Sequence, residues 1–192
     1  MGSLLVTDSA PGPANSNAGR DDAALLEHYV RRGRGARDGG LEAAWLDYEL
    51  RSYVLARLPA RRPLAVCNVG IGDGQLDDWL ALVVGAPIVS VDLDPGACRL
   101  LELRQRREEH PHPSRVVCGD VRGGALAGRR FDVITCVRPL ADGDDGGHLQ
   151  RALRTALADG GVLLTAEIGQ GAAADRVLSR GDVWLACSTR TR

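Results

Sequence analysis

Apolar residues recur along this chain in short, bounded runs. Leu64–Val69, Pro87–Val91, Arg115–Cys118, Phe131–Val137 and Val162–Ala166 are rich in Val, Ile and Leu. Continuous apolar runs of that length predict strands buried on both faces. The segments between them are longer and mixed. Gln75–Val84, Pro95–Glu109 and His148–Ala158 read as helices: Gly85 stops the first, and Pro95 fits the opening turn of the second. A last helix is predicted over Ala172–Ser179 and a last strand over Asp182–Ser188. Strands alternating with helices predict an α/β fold: a doubly wound, mostly parallel sheet of about six strands with helices on both faces. Right-handed crossovers restrict its topology.

The first third of the chain differs. Residues 1–20 are Gly, Pro, Ser and Asn with little to bury, which predicts a disordered tail. Residues 21–59 carry apolar positions at helical spacing, first Leu25, Leu26, Tyr29 and Val30, then Leu41, Ala44, Trp45, Tyr48, Leu55 and Leu58, until Pro59. Between the two stretches Arg31, Arg32, Arg34 and Arg37 stand among glycines. That segment reads first as a solvated hinge and second as a phosphate or RNA contact. The division is therefore a tail, an N-terminal helical segment placed to act as a lid or substrate cap, and an α/β domain over 60–192.

Composition adds bounds. The 192 residues carry a net charge of −1, which argues against a nucleic-acid partner or an anionic membrane. All 24 basic residues are Arg, which with the abundant Ala and Gly points to a GC-rich bacterial source. The five Cys have no C-x-x-C spacing, so the reading is buried thiols in a reducing cytoplasm and no metal site. Leu4–Val6 is too short for a leader, and no run reaches membrane-span length.

Chemistry first appears in Leu64–Asp78, LAVCNVGIGDGQLDD. The apolar run ends in Gly70, Gly72 and Gly74, and a polar helix start follows. Glycines at alternate positions let a ligand lie against bare backbone, at the carboxyl end of a strand where ligands dock on such sheets. By itself this is equally a tight turn. The third glycine comes one place too early for the dinucleotide fingerprint G-x-G-x-x-G. The spacing G-x-G-x-G, with Asn68 two positions before it, resembles motif I of the class I, Rossmann-like S-adenosylmethionine methyltransferases. There the first position is usually Asp or Glu, holding the amino end of the cofactor's methionine part. Asn68 keeps an acceptor oxygen but lacks the charge.

Three further elements resemble that family in order. Asp92 ends the second strand, where the resemblance implies a carboxylate on the ribose hydroxyls; the alternative is a helix cap, for which Asp94 is better placed. Asp120, in CGDV, matches the acidic residue that meets the adenine amino group, or is a turn Asp. Asp159-Gly160-Gly161 resembles the turn before the fifth strand. The implied cofactor is S-adenosyl-L-methionine, and the implied binding set is Asn68, Gly70, Ile71, Gly72, Asp73, Gly74, Asp92, Leu93, Asp120, Val121 and Cys136. Methyl transfer needs alignment more than acid–base help, so no catalytic residue is obligatory. His148, Asp142 and Tyr29 are the candidates. Asp142, Asp144 and Asp145 either attract a cationic amine or form a solvated acidic loop.

The family sheet closes with an antiparallel strand pair. Here one strand is predicted, a shortened end that leaves a sheet edge for a second copy to cover. The functional expectation is a cytoplasmic bacterial methyltransferase acting on a small-molecule acceptor, in natural-product metabolism. The rivals are an RNA or protein methyltransferase and a catalytically inactive cofactor-binding homologue.

Overall fold

The computed structural model describes residues 24, 27, 40–57, 64–137, 147–168, 176–180 and 183–190. In chain order the elements are α1 (Gly40–Arg57), β1 (Val66–Val69), α2 (Gln75–Val84), β2 (Val89–Asp92), α3 (Pro95–Arg107), β3 (Arg115–Cys118), β4 (Phe131–Val137), α4 (His148–Thr155), β5 (Leu157–Ile168), β6 (Arg176–Arg180) and β7 (Val183–Thr189). They build one seven-stranded sheet in the order β3-β2-β1-β4-β5-β7-β6. β3, β2, β1, β4 and β5 run parallel, whereas β7 is antiparallel to both β5 and β6. The strand order reverses between β2–β1 and β4, which opens a crevice at the carboxyl ends of β1 and β4.

Alternation along each strand sends side chains to two cores. Val133 and Leu164 face one core with Leu50 and Val54 of α1 and Leu80 of α2. Their neighbours Ile134 and Leu163 face the other with Leu149 and Leu153 of α4. Helices therefore cover both faces, as the pattern predicts. α3 packs separately, with Leu100 and Leu101 beside Ile71. Tyr53 Oη lies 2.7 Å from Cys187 Sγ, joining α1 to β7.

The C-terminal end departs from expectation. Part of the predicted helix Ala172–Ser179 is strand β6, so the sheet has seven strands and an antiparallel β7–β6 pair at its end. The apolar pair Val177–Leu178 lacked a helical stripe; pairing with β7 decides its state. The edge expected at β7 is taken by β6. β5 also starts early, at Leu157, and runs through the predicted Asp159–Gly161 turn. The register against β4 shifts between Phe131 and Val133, so the turn is a bulge inside the strand. A Cβ on Gly161 would sit 2.7 Å from the Phe131 carbonyl oxygen, so only glycine fits there. The tail and the segments carrying Tyr29, Arg31–Arg37, Asp142, Asp144 and Asp145 lie outside the described residues.

Candidate functional site

The β1–α2 turn is built as a bare-backbone cradle. Gly70, Gly72 and Gly74 have φ of 88°, 58° and 77°. Gly74 is the N-cap of α2, and a Cβ there would lie 2.8 Å from Leu101 Cδ1. Gly72 is the reverse case: nothing lies within 4 Å of its missing Cβ, so its face opens outward. Main-chain bonds hold the loop, from Gly70 N to the Val91 carbonyl (2.8 Å) and from Gly74 N to the Ile71 carbonyl (2.8 Å).

Asp92 joins this turn to the next. Its Oδ2 accepts from Ile71 N (2.7 Å) and its Oδ1 from Asp94 N (2.9 Å). The cap of α3 is Asp94, whose Oδ1 accepts from Gly96 N at 2.8 Å. Asp92 is therefore no cap, and its half-exposed carboxylate sits at the crest with acceptor capacity left. Leu93 beside it is 49 % exposed, a large apolar side chain facing out at the same crest. Asp73 is half-exposed, and its Oδ1 accepts from Gln75 N at 3.1 Å.

Not every residue of the expected set faces the crevice. Ile71, Val121 and Cys136 are buried in the cores. Asp120 is turned to Arg122, which reaches both carboxylate oxygens, and these bonds hold its carboxyl below the ordinary carboxylate range. His148 is exposed at the start of α4. Four cysteines are buried, whereas Cys118 is exposed at the end of β3.

Asn68 is wholly buried. Its Oδ1 accepts from Thr135 Oγ1 (2.7 Å); its Nδ2 donates to Asp77 Oδ2 (2.9 Å) and, at 3.3 Å, to the Gly70 carbonyl. Asp77 and Ser90 are also wholly buried. Burial pushes the Asp77 carboxyl up to about 7 against the favourable pulls of Ser90, Asn68 and Arg104. Ser90 Oγ stands near enough to favour the carboxylate but outside bonding geometry; it and Asp77 Oδ1 both lack a formed partner. Arg104 of α3 reaches the Asp73 carbonyl and the Asp78 carboxylate, bracing the loop from behind. Asp77, Ser90, Thr135 and Arg104, which the structure gathers around Asn68 and the glycine turn, are not singled out by the sequence reading. One signal was available: Asp77 lies three and four residues before Leu80 and Ala81, on the stripe that α2 buries.

Two clefts of about 620 and 730 Å³ flank α4, away from the glycine turn. Arg130, Arg151, Arg154 and Arg190 line the first; Arg122, Arg130, Arg151 and His148 line the second. Among the described residues no group of three His, Cys, Asp or Glu is placed to hold a metal ion, and no helix is long and apolar enough to cross a membrane.

With this geometry, residues 67–165 match the family model described as a methyltransferase domain, and the chain belongs to that family. It is an S-adenosylmethionine-dependent methyltransferase. Solved structures share the fold. An rRNA methyltransferase, aviRa from Streptomyces viridochromogenes, is 19% identical with a TM-score of 0.58, covering 75% of this chain and 83% of that one. A hypothetical protein of Thermus thermophilus is 24% identical with a TM-score of 0.61, covering 78% and 88%. An RNA methyltransferase from Salinibacter ruber, in complex with S-adenosyl-L-homocysteine, is 17% identical with a TM-score of 0.54, covering 70% and 94%. No curated protein sequence matches the chain. The residues fit the cofactor: Gly72 offers an open backbone face, and Asp92 and Leu93 offer a carboxylate and an apolar surface beside it.

Proposed function

We propose that this enzyme transfers a methyl group to a small-molecule acceptor in bacterial natural-product metabolism. The cofactor supplies a methyl already activated by its sulfonium. The chain's own work is to bind, align and exclude water. Gly70–Gly74 cradle the methionine part, Asp92 accepts the ribose hydroxyls, and Leu93 offers its exposed apolar face to the adenine. The observation that supports the small-molecule reading is the pair of short turns at the carboxyl edge, Gly70–Gly74 and Leu93–Asp94, which present the open face of Gly72 and the half-exposed Asp92 carboxylate. Acceptor choice then falls to the loop after β4 and to the part of residues 21–59 that precedes α1, with Tyr29 in the lid and Asp142 drawing a cationic acceptor; α1 itself packs Leu50 and Val54 into the core. The near-neutral charge of the chain supports the same reading. The test is calorimetric titration with S-adenosylmethionine and S-adenosylhomocysteine, then transfer of labelled methyl to a small-molecule panel and to total RNA. Label in RNA alone rejects this acceptor class.

One observation favours RNA as a second reading. The clefts beside α4 gather five arginines, of which Arg122 pairs with Asp120 and Arg190 with Asp159. Arg130 and Arg151 line both clefts, where their charge is offered to an anion. RNA retention that falls steeply with salt would support this reading, because phosphate contacts release counterions.

A further inference from the structure

The methionine end of the cofactor is cationic, yet the first position of the glycine motif holds a neutral amide. A carboxylate stands nine residues on, in the wrong place for the motif but at the right place in space: Asp77, in the first turn of α2, 2.9 Å from Asn68 Nδ2. We propose that Asp77 is the positioning residue of the cofactor turn, carrying the negative charge that Asn68 lacks and transmitting it through Asn68 to Gly70. The inference rests on the cradle reading of Gly70–Gly74.

The hydrogen bonds set the chemistry. Asn68 spends one N–H on Asp77 and the other on the Gly70 carbonyl, while its oxygen is fixed by Thr135. An ionised Asp77 locks that orientation, because only the amide nitrogen side can face a carboxylate. The Gly70 carbonyl is then held inward. The remaining groups around Asp77 are accounted for. Arg104 of α3 is the nearby cation and is engaged with Asp78 and the Asp73 carbonyl. The Cys67 thiol of β1 is pushed up by burial and by Asp77, so it stays neutral. Ser90 of β2 is neutral and, with Asp77 Oδ1, lacks a formed bond. When Asp77 takes a proton on its unpartnered Oδ1, Oδ2 still accepts from Asn68 but without the charge, and the clamp weakens. Asp77 is near the middle of its titration around neutral pH, so this exchange is accessible without unfolding.

The experiment measures the dissociation constant of S-adenosylmethionine from pH 5.5 to 8.5 in wild type, Asp77→Asn and the exchange N68D/D77N. Circular dichroism of each variant checks the fold. Wild-type affinity is expected to fall as pH drops through about 7. D77N is expected to bind roughly tenfold more weakly at pH 8, the size of one lost charge-assisted hydrogen bond, without the wild-type inflection. The exchange restores a carboxylate–amide pair in reverse and is expected to recover most of the affinity. In the ligand-free protein, a carboxyl resonance titrating near neutrality in wild type is expected to be missing from D77N. A D77N protein with wild-type affinity and pH profile overturns the proposal while leaving the cradle reading intact. Wild type that binds no cofactor overturns both.

Discussion

Asn68 Nδ2 and Asp77 Oδ2 meet at 2.9 Å in the interior, with neither residue exposed. The pair joins the end of β1 to the first turn of α2, beneath the Gly70–Gly74 turn proposed to hold the cofactor. The two residues constrain each other. A second carboxylate at 68 would face the first with one proton between them, so the amide is the partner that Asp77 requires.

That dependence sets a mutational cycle. Asn68→Asp moves the motif closer to the family pattern, yet it is expected to destabilise the fold by about 2–4 kcal/mol, because it buries a second acid against Asp77. N68D/D77N is expected to regain most of this, leaving a coupling on the order of 1–3 kcal/mol. Urea denaturation of the four proteins at pH 8 gives the cycle. Additive effects would show that the two side chains are independent.

The pH dependence of folding has a definite sign. Asp77 has a folded value of about 7 against an ordinary 3.8, so between those limits the folded chain holds a proton that the unfolded chain has lost. Its contribution to stability is therefore present at low pH and is lost as pH rises through 7. The total is on the order of 4 kcal/mol, reduced by whatever the buried pair relaxes. D77N is expected to remove this slope and to raise the melting temperature at pH 8. Stability gained where affinity is lost is what a functional acid kept in an apolar site implies. Melting curves from pH 5 to 8 check it; parallel curves would place the carboxyl's titration elsewhere.

Arg104 offers a separate handle on the same turn. It reaches the Asp73 carbonyl and the Asp78 carboxylate, and its guanidinium end lies against Gly74. Arg104→Met keeps an apolar stem and removes the donors. The expected cost is about 1–2 kcal/mol from leaving the Asp73 carbonyl without this donor and the Asp78 carboxylate with the Gln105 amide but without this cation, with weaker cofactor binding because the loop is unbraced. Hydrogen exchange at Gly72 to Gln75 is expected to quicken. Unchanged exchange there would show that the main-chain bonds suffice.

The sheet was legible because its strands are apolar on both faces and bounded by Gly and Pro. Phe131–Val137 and Arg115–Cys118 match their predicted limits. β6 was not legible: Arg176–Arg180 has no pattern of its own, and its partner supplies the reason for its state. The site divided in the same way. Glycine spacing and strand-end acids are local signals, so the turn at Gly70–Gly74 and the position of Asp92 at the end of β2 could be read directly. Asp77 is defined by what surrounds it in space, Asn68 and Ser90 from two strands and Arg104 from α3, and residue order alone reads it as a polar helix start. Family likeness assigns Asp120 to the adenine, but its bond to Arg122 could not be anticipated from that likeness.

The glycines of the turn separate folding from binding. Gly74→Ala places a Cβ 2.8 Å from Leu101 Cδ1 at φ +77°, so both the backbone and the packing resist it. The expected cost is about 2–3 kcal/mol of stability. Gly72→Ala meets nothing within 4 Å and is left only with the φ +58° penalty, about 1 kcal/mol. Its new methyl, however, projects into the open face proposed for the cofactor's backbone contact. Gly72→Ala is therefore expected to fold nearly as wild type and to lose tenfold or more in cofactor affinity. Gly74→Ala is expected to bind in proportion to the fraction folded. Melting temperature and calorimetric affinity, measured on both variants, decide the matter. If Gly72→Ala bound the cofactor as wild type does, the ligand would not lie across this turn.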